Sequence, residues 1–456
     1  MMKLCTSIIA LLVGVIPASA LAETPTLQST IGAPDDFKLS GSMRLRYETL
    51  DGQSRAGFRS EEEMLALRST LFAEYDPGAV RIGAELYDSR SWLSKPGTVL
   101  STTDVNAVEL VQAYVGAEFG EPFGKGSKLG VQLGRMTVNL GSRRLVAADD
   151  YRNTTNGYTG LRVDLKAGSG INATAIYMLP QVRLPNDLPS LRDNDARWDR
   201  ESFDLQLWGG LIARPNTMFG ATAELGYFGL FERDRVDAAT RNRNLDNFSA
   251  RLIRDPKTGR FDFEIEGIYQ TGTIRASTVP DAAVLDVGAS FVHADAGYTF
   301  PGKAKLRLSV EYDRASGDEP GGKYSRFDTL FGMRRAELAP AGLYNAVGRA
   351  NISTPAIRAE IAPNPRWDAF AVYRAMWLAE RSDSFSTTGV QNAAGTSGSF
   401  AGHQLEARVR YWLVPSFLRA EVNALWLGKG RFLKTAPNAP ATGDTHYLAT
   451  SIMATF

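Results

Sequence analysis

The chain is almost without thiols: its single cysteine, Cys5, lies in an apolar N-terminal segment. It precedes the apolar run, whereas a lipoprotein cysteine follows one, and once the segment is removed no disulfide, thiolate metal site or thiol nucleophile is available. Histidine is nearly as scarce. His293, His403 and His446 are neither paired at metal-ligand spacing nor set beside a serine in a nucleophile motif, so the usual signatures of hydrolytic and metal chemistry are missing. No run of about twenty apolar residues occurs, which excludes a helical membrane span. A large charge of either sign is also lacking, since the formal net charge is +1 and loss of Lys3 brings it to zero. Mean hydropathy is -0.19 and aromatics make up 10%. A wall that faces lipid on one side and water on the other averages to such a value, so pattern and not composition decides the class.

The N-terminus has the pattern of a secretory signal. Lys3 precedes the apolar stretch Ile8 to Ile16, then Pro17, and small residues at Ala18, Ala20 and Ala22 form two overlapping cleavage sites. Cleavage after Ala22 is favoured. The expected organisation is a signal peptide over 1–22, a short periplasmic segment over 23–36, and one barrel domain over 37–456.

Beyond Phe37 the dominant pattern is period-two alternation. Phe37, Leu39, Gly41, Met43, Leu45 and Tyr47 share one face, and Lys38, Ser40, Ser42, Arg44, Arg46 and Glu48 the other. Val80 to Tyr87, Phe261 to Thr271, Leu306 to Asp313 and Leu405 to Leu413 repeat it. Connections alternate in length. Short turn chemistries occur at 76–78, 120–128, 168–170, 214–217, 255–259, 301–303, 363–365 and 414–416. Longer polar stretches occupy 51–62, 89–106, 139–156, 179–201, 232–244, 273–283, 315–343, 381–401 and 429–443. Eight turns and nine loops predict about eighteen strands with both ends on one side, an all-β transmembrane antiparallel barrel with short periplasmic turns and long extracellular loops. The strand over 343–362 is the weakest of these because Pro355 interrupts it. A terminal aromatic strand ends at Phe456, and aromatics gather at both ends of the strands, as interfacial girdles require. A soluble sandwich fits isolated segments but not an unbroken run of strands with one charged face.

Several segments resemble the alginate-export family of outer-membrane porins: Gly134-Arg135, the run Leu140 to Val146 with Arg143 and Arg144, Gly157 to Leu165, Ser316-Gly317-Asp318 with Gly321 to Lys323, Phe327 to Phe331, and Gly402 to Glu406. Met136-Thr137 and Tyr151 depart from the residues common in relatives. The resemblance implies a barrel of this size and export of a polyuronate through an arginine-lined pore. The expected partners are outer-membrane lipid, the barrel-assembly machinery and a saccharide or other small anionic solute; no cofactor, metal or nucleic acid is expected.

Gly317 to Lys323 also spells G-x-x-x-x-G-K, but Tyr324 replaces the metal-binding hydroxyl of a phosphate loop and no helix pattern follows. The acidic groups at 149–150 and 193–199 lack calcium-loop spacing and read as solvated loop. Arginine outnumbers lysine roughly threefold, and guanidinium suits carboxylates along a polymer. The lumen positions assigned to it are Arg44, Arg46, Arg81, Arg162, Arg307, Arg374, Arg408, Arg410 and Arg419, with Arg68 and Arg135. Glutamates and aspartates share those faces, so cross-strand ladders that merely stiffen the wall compete with a cationic pathway. Two functions remain open: a non-enzymatic, anion-preferring channel for an acidic saccharide, and a general diffusion or uptake porin with mostly paired charges.

Overall fold

The computed structural model describes residues 26–235, 238–333 and 337–456; the expected signal peptide lies outside the described residues. The wall begins with β1 (Phe37–Asp51), β2 (Glu61–Tyr75), β3 (Val80–Trp92), β4 (Asn106–Gly120), β5 (Lys128–Met136), β6 (Tyr158–Lys166), β7 (Asn172–Pro180), β8 (Leu205–Arg214) and β9 (Thr222–Glu232). It continues with β10 (Asn244–Arg254), β11 (Phe261–Arg275), β12 (Val284–Thr299), β13 (Arg307–Ala315), β15 (Ile352–Asn364), β16 (Trp367–Trp377), β17 (Phe400–Val414), β18 (Leu418–Lys429) and β19 (Thr445–Thr455). The two-residue β14 (Lys323–Tyr324) is a loop segment lying parallel to β12. Each wall strand pairs antiparallel with its neighbours, and β1 pairs with β19 from Ser42↔Thr455 to Asp51↔His446. Eighteen strands therefore close on themselves, and no sheet edge is left unpaired in lipid.

Burial runs opposite to that of a soluble protein. In β1, Met43 and Leu45 are 49% and 47% exposed, whereas Arg46 and Glu48 are 3% and 0% exposed. The apolar face of each strand meets lipid and the charged face meets the lumen. Two glycines let neighbours approach closely. A Cβ on Gly134, at φ +128°, would strike the Ala113 carbonyl of β4, and one on Gly41 would strike the ring of Phe456.

Two expectations are corrected. The strand drawn from Leu343 begins at Ile352, because residues 343–351 belong to a loop that packs inside the barrel. Pro355 is nonetheless tolerated within β15. It faces outward, and toward β16 no pairing occurs between Ser353↔Trp377 and Ala356↔Arg374, so its missing N–H falls in a gap of a ladder whose register continues unchanged. The stretches 139–156 and 315–343, drawn as external loops, also turn inward in large part.

Their apolar side chains complete one continuous core with inward residues at the extracellular ends of the strands. Leu140, Leu145, Val146, Leu338, Leu343 and Val347 from the loops pack with Leu50, Met64, Leu207, Phe291, Met376 and Leu427 from the wall. The lumen thus has two zones. The extracellular half is filled by a loop core, and the periplasmic half keeps charged side chains facing one another.

Candidate functional site: the lumen and its inward loops

Three arginines of the first two strands fasten the first inward loop, residues 137–157. Arg44 donates to the carbonyls of Asp150 (3.3 Å) and Arg152 (2.7 Å), and Arg68 donates to the same two at 3.1 and 3.2 Å. Arg46 reaches the Tyr151 carbonyl at 2.6 Å and pairs with Glu48 at 2.7 Å. The Asn153 amide donates to the carbonyls of Leu67, Arg90 and Asp104. Carbonyls and not carboxylates receive Arg44 and Arg68, so these bonds leave the cationic charge uncancelled.

The second inward loop, 316–351, is locked to the first. Val146 and Phe331 form a parallel bridge, and Met333 N donates to Arg143 O at 3.0 Å. Arg144 ion-pairs with Glu264 and Glu266 of β11 and, at 3.0 Å, with Glu337, which also holds Arg349. On the opposite wall Leu343 N donates to Glu48 Oε2 at 2.8 Å, and Gln404 accepts from Tyr344 Oη at 2.7 Å. Family-motif residues Arg143 and Arg144 therefore join the two inward loops to each other and to β11. Gly317 is fixed by crowding, since a Cβ there would strike the Asn351 side chain. Asp318 shapes its own loop, accepting from Ser325 N at 3.0 Å.

All the arginines named from sequence face the lumen, but their surroundings differ. Arg135 lies between Glu109 (2.6 Å) and Glu201 (2.8 Å), and Arg162 pairs with Asp164 at 2.6 Å. Arg81 pairs with Glu118 at 3.0 Å beside Glu74, and Arg307 meets Asp262, Asp295 and Glu360. Arg374 is fully buried, with Glu311 at 3.5 Å and the Glu337 carbonyl as acceptor. These are wall ladders.

A second group is rich in cation. Arg408 and Arg410 both bond the Asp368 carboxylate, at 2.9 and 3.0 Å. Arg419 touches the Met453 sulfur at 3.6 Å and lies over the Trp412 ring, with no carboxylate within ion-pair distance among the described residues. Register places Arg419, Met453, Arg44 and Arg68 side by side across β18, β19, β1 and β2. Arg358 and Arg408 both lie over Phe370, at 4.1 and 4.7 Å from its centroid. Asp368, Arg358 and Phe370 escaped the sequence reading; alternation along 367–377 points Asp368 and Phe370 inward, and along 356–360 it does the same for Arg358.

Among the acids of the extracellular loops, Asp199 and Asp104 are strongly raised. Burial and the neighbouring Glu109 push Asp199 up to about 7. Its backbone N–H donates to Glu109 Oε2 at 2.7 Å, while its carboxylate accepts from Leu184 N and Asn106 Nδ2. Burial and Glu48 push Asp104 up to about 6. Of the acids considered for calcium, Asp149 is bound to Arg152 at 2.7 Å and Asp195 lies 3.7 Å from Arg197; among the described residues no group of three or more acidic, His or Cys side chains is arranged to hold a metal. Lys323 and Tyr324 of the phosphate-loop-like string run extended in β14, and the described residues directly after them, 325–333, form no helix.

The sequence matches the alginate export family over residues 36–444. It matches no curated protein. Among solved structures it resembles OccK8 (OprE) of Pseudomonas aeruginosa, at 11% identity and TM-score 0.58 over 92% of this chain and 98% of that one. OpdQ of the same organism gives 14%, 0.57, 93% and 99%, and OccAB2 of Acinetobacter baumannii 13%, 0.57, 92% and 98%. At such identities the structures speak for the fold, and the family match spans nearly the whole barrel. The chain belongs to the alginate export family and is an outer-membrane β-barrel channel.

Proposed function

We propose that the barrel passively conducts an acidic saccharide, such as a polyuronate, with preference for anions and without catalysing a reaction. The observation that carries this reading is Arg419 on β18, which has no carboxylate within ion-pair distance among the described residues and lies on the same lumen face as Arg408 and Arg410, both bonded to Asp368. In a confined, partly dehydrated pore such an excess is screened less than on an open surface and raises local anion concentration. The carbonyl-bonded Arg44 and Arg68 extend the same field upward. Secretion by a signal peptide cleaved after Ala22, and hand-over to the assembly machinery through the strand ending at Phe456, belong to the same proposal.

The ladders around Arg135, Arg162 and Arg307 favour the competing reading, a general porin with paired charges. Reversal potentials in planar bilayers separate the two. Changing Arg408 and Arg410 together to Glu should move selectivity toward cations and weaken block by added polyuronate, with heat-modifiability retained. Unchanged selectivity in the double variant would leave the general porin as the better reading.

A further inference from the structure

Among the extracellular loops lies a separate cavity of about 300 Å³, lined by Gln181, Arg183, Asn156, Arg235, Phe331 and Leu205 together with Val182 and Glu232. It is remote in sequence and in height from the arginines of β16 to β18. Its polar side brings the donors of Arg183, Arg235 and Gln181 together with Asn156, Asn186, Thr102 and Glu232. Arg183 donates through Nη1 to Thr155 O (3.0 Å) and Asn156 Oδ1 (2.8 Å), and no carboxylate lies within ion-pair distance of it among the described residues. Burial and neighbouring Arg152 pull its pKa down to about 10. Among the described residues Arg235 makes no side-chain hydrogen bond or ion pair, and its Nε is buried without a partner. The Gln181 side chain is 8% exposed, and its Nε2 likewise has no acceptor. Glu232, the one acid among the described lining residues, is already committed, bonded to both Nε and Nη2 of Arg243 at 2.9 Å.

A buried guanidinium without a counter-charge is destabilising, and an anion seated against it relieves that cost. Two guanidiniums and an amide on one side, with Phe331, Leu205 and Val182 on the other, make an amphipathic receptor. A sugar ring with a carboxylate has the matching chemistry: apolar C–H face, anionic edge. The volume is at the low end for ligand pockets, which suits one sugar unit and not a chain.

We infer that this cavity is an extracellular subsite for a single uronate unit, contacted through Arg183, Arg235 and Gln181. It rests on the acidic-saccharide reading above but uses different residues, so the two fail separately. The same carboxylate chemistry is offered by a free uronic acid or by one residue of a polymer.

The test is calorimetric titration of the full-length purified channel with D-glucuronate, with D-glucose and acetate as controls and a glucuronate-containing oligomer as the polymer arm. Glucuronate should bind, and Arg235→Gln, which breaks no bond to the described residues, and Arg183→Gln should each weaken it at least fivefold. Arg408→Glu with Arg410→Glu should leave this binding intact while shifting ion selectivity. Tighter binding of the oligomer assigns the subsite to a polymer, and equal binding per unit assigns it to free acids. No binding of glucuronate, equal binding of glucose or acetate, or undiminished binding by a folded Arg235→Gln protein overturns the proposal.

Discussion

Arg44 and Arg68 sit directly opposite each other across the β1–β2 ladder, and both guanidiniums end on the same two carbonyls, those of Asp150 and Arg152. Two like charges are thus held side by side by backbone dipoles of a loop they have in turn drawn into the pore. Charge-assisted hydrogen bonds contribute about 1.5–3 kcal/mol each. Arg44→Met or Arg68→Met alone should loosen residues 137–157 only modestly, because the remaining guanidinium keeps both carbonyls. The double variant should lose more than the sum of the singles and show higher, noisier single-channel conductance. Additive effects in the cycle would contradict the shared clamp.

The charge excess near Asp368 makes an opposite prediction to the arginine-to-glutamate exchange. Asp368→Asn removes the carboxylate that Arg408 and Arg410 both bond. Reversal potential should move toward stronger anion preference, and more so at low salt, where screening is weaker.

Asp199 supplies a pH dependence whose sign can be fixed. Its pKa in the folded loop is raised to about 7 from an ordinary value near 3.8, so the folded loop binds the proton that the opened loop releases. Closure is therefore favoured at acidic pH, weakens as pH rises from about 4 to about 7, and is flat above that. Hydrogen exchange across residues 179–201, corrected for intrinsic rate, should speed up between pH 5 and pH 8. In Asp199→Asn the change should vanish, since rotation of Asn106 brings its unpartnered Oδ1 to the new amide.

Closure of the barrel depends on a contact between its two ends. Gly41 and Phe456 exchange both backbone hydrogen bonds, at 2.7 and 3.0 Å, and the Phe456 ring occupies the space a side chain at 41 would need. Gly41→Val and deletion of Phe456 should both lower the yield of heat-modifiable barrel, whereas Phe456→Tyr should assemble normally. Normal yield from Gly41→Val would show that the ring is not needed there.

The inward loops can be told from external ones by reagent size. A cysteine at Trp198, 59% exposed in an extracellular loop, should react in intact cells with both small and polymer-linked thiol reagents. One at Ser142, bonded to Glu266 inside the barrel, should react with the small reagent alone. One at Ser169, in the short turn after β6, should need permeabilised cells. Polymer labelling at 142 would put that loop outside.

Much of the wall was legible because alternation is a local signal. Arg408 and Arg410 flank Val409, and on a pleated strand that alone turns both to the lumen. What they bind was not legible, for Asp368 meets them through the β16–β17 register, which depends on where a turn closes. The inward loops were hidden for a stronger reason. Leu343 and Glu48 are 295 positions apart, and the Val146–Phe331 bridge joins two segments that no periodicity links. Polar composition made these stretches read as external, yet their scattered leucines and valines are the core of the upper barrel. Family motifs marked Arg143 and Arg144 without saying that three glutamates hold the latter.

The loop core inside the wall sets an order of assembly. Its anchors are spread over β1, β2, β11 and β17, and those strands face one another only after the first and last have joined. Lipid and strand pairing shape the cylinder first, as an open tube. Water then drives the leucines and valines of 137–157 and 316–351 down into it, by the same burial that folds a soluble domain. Narrowing of the pore is thus the last event in the chain's maturation, and substitutions that change which cargo fits need not disturb how the cylinder enters the membrane.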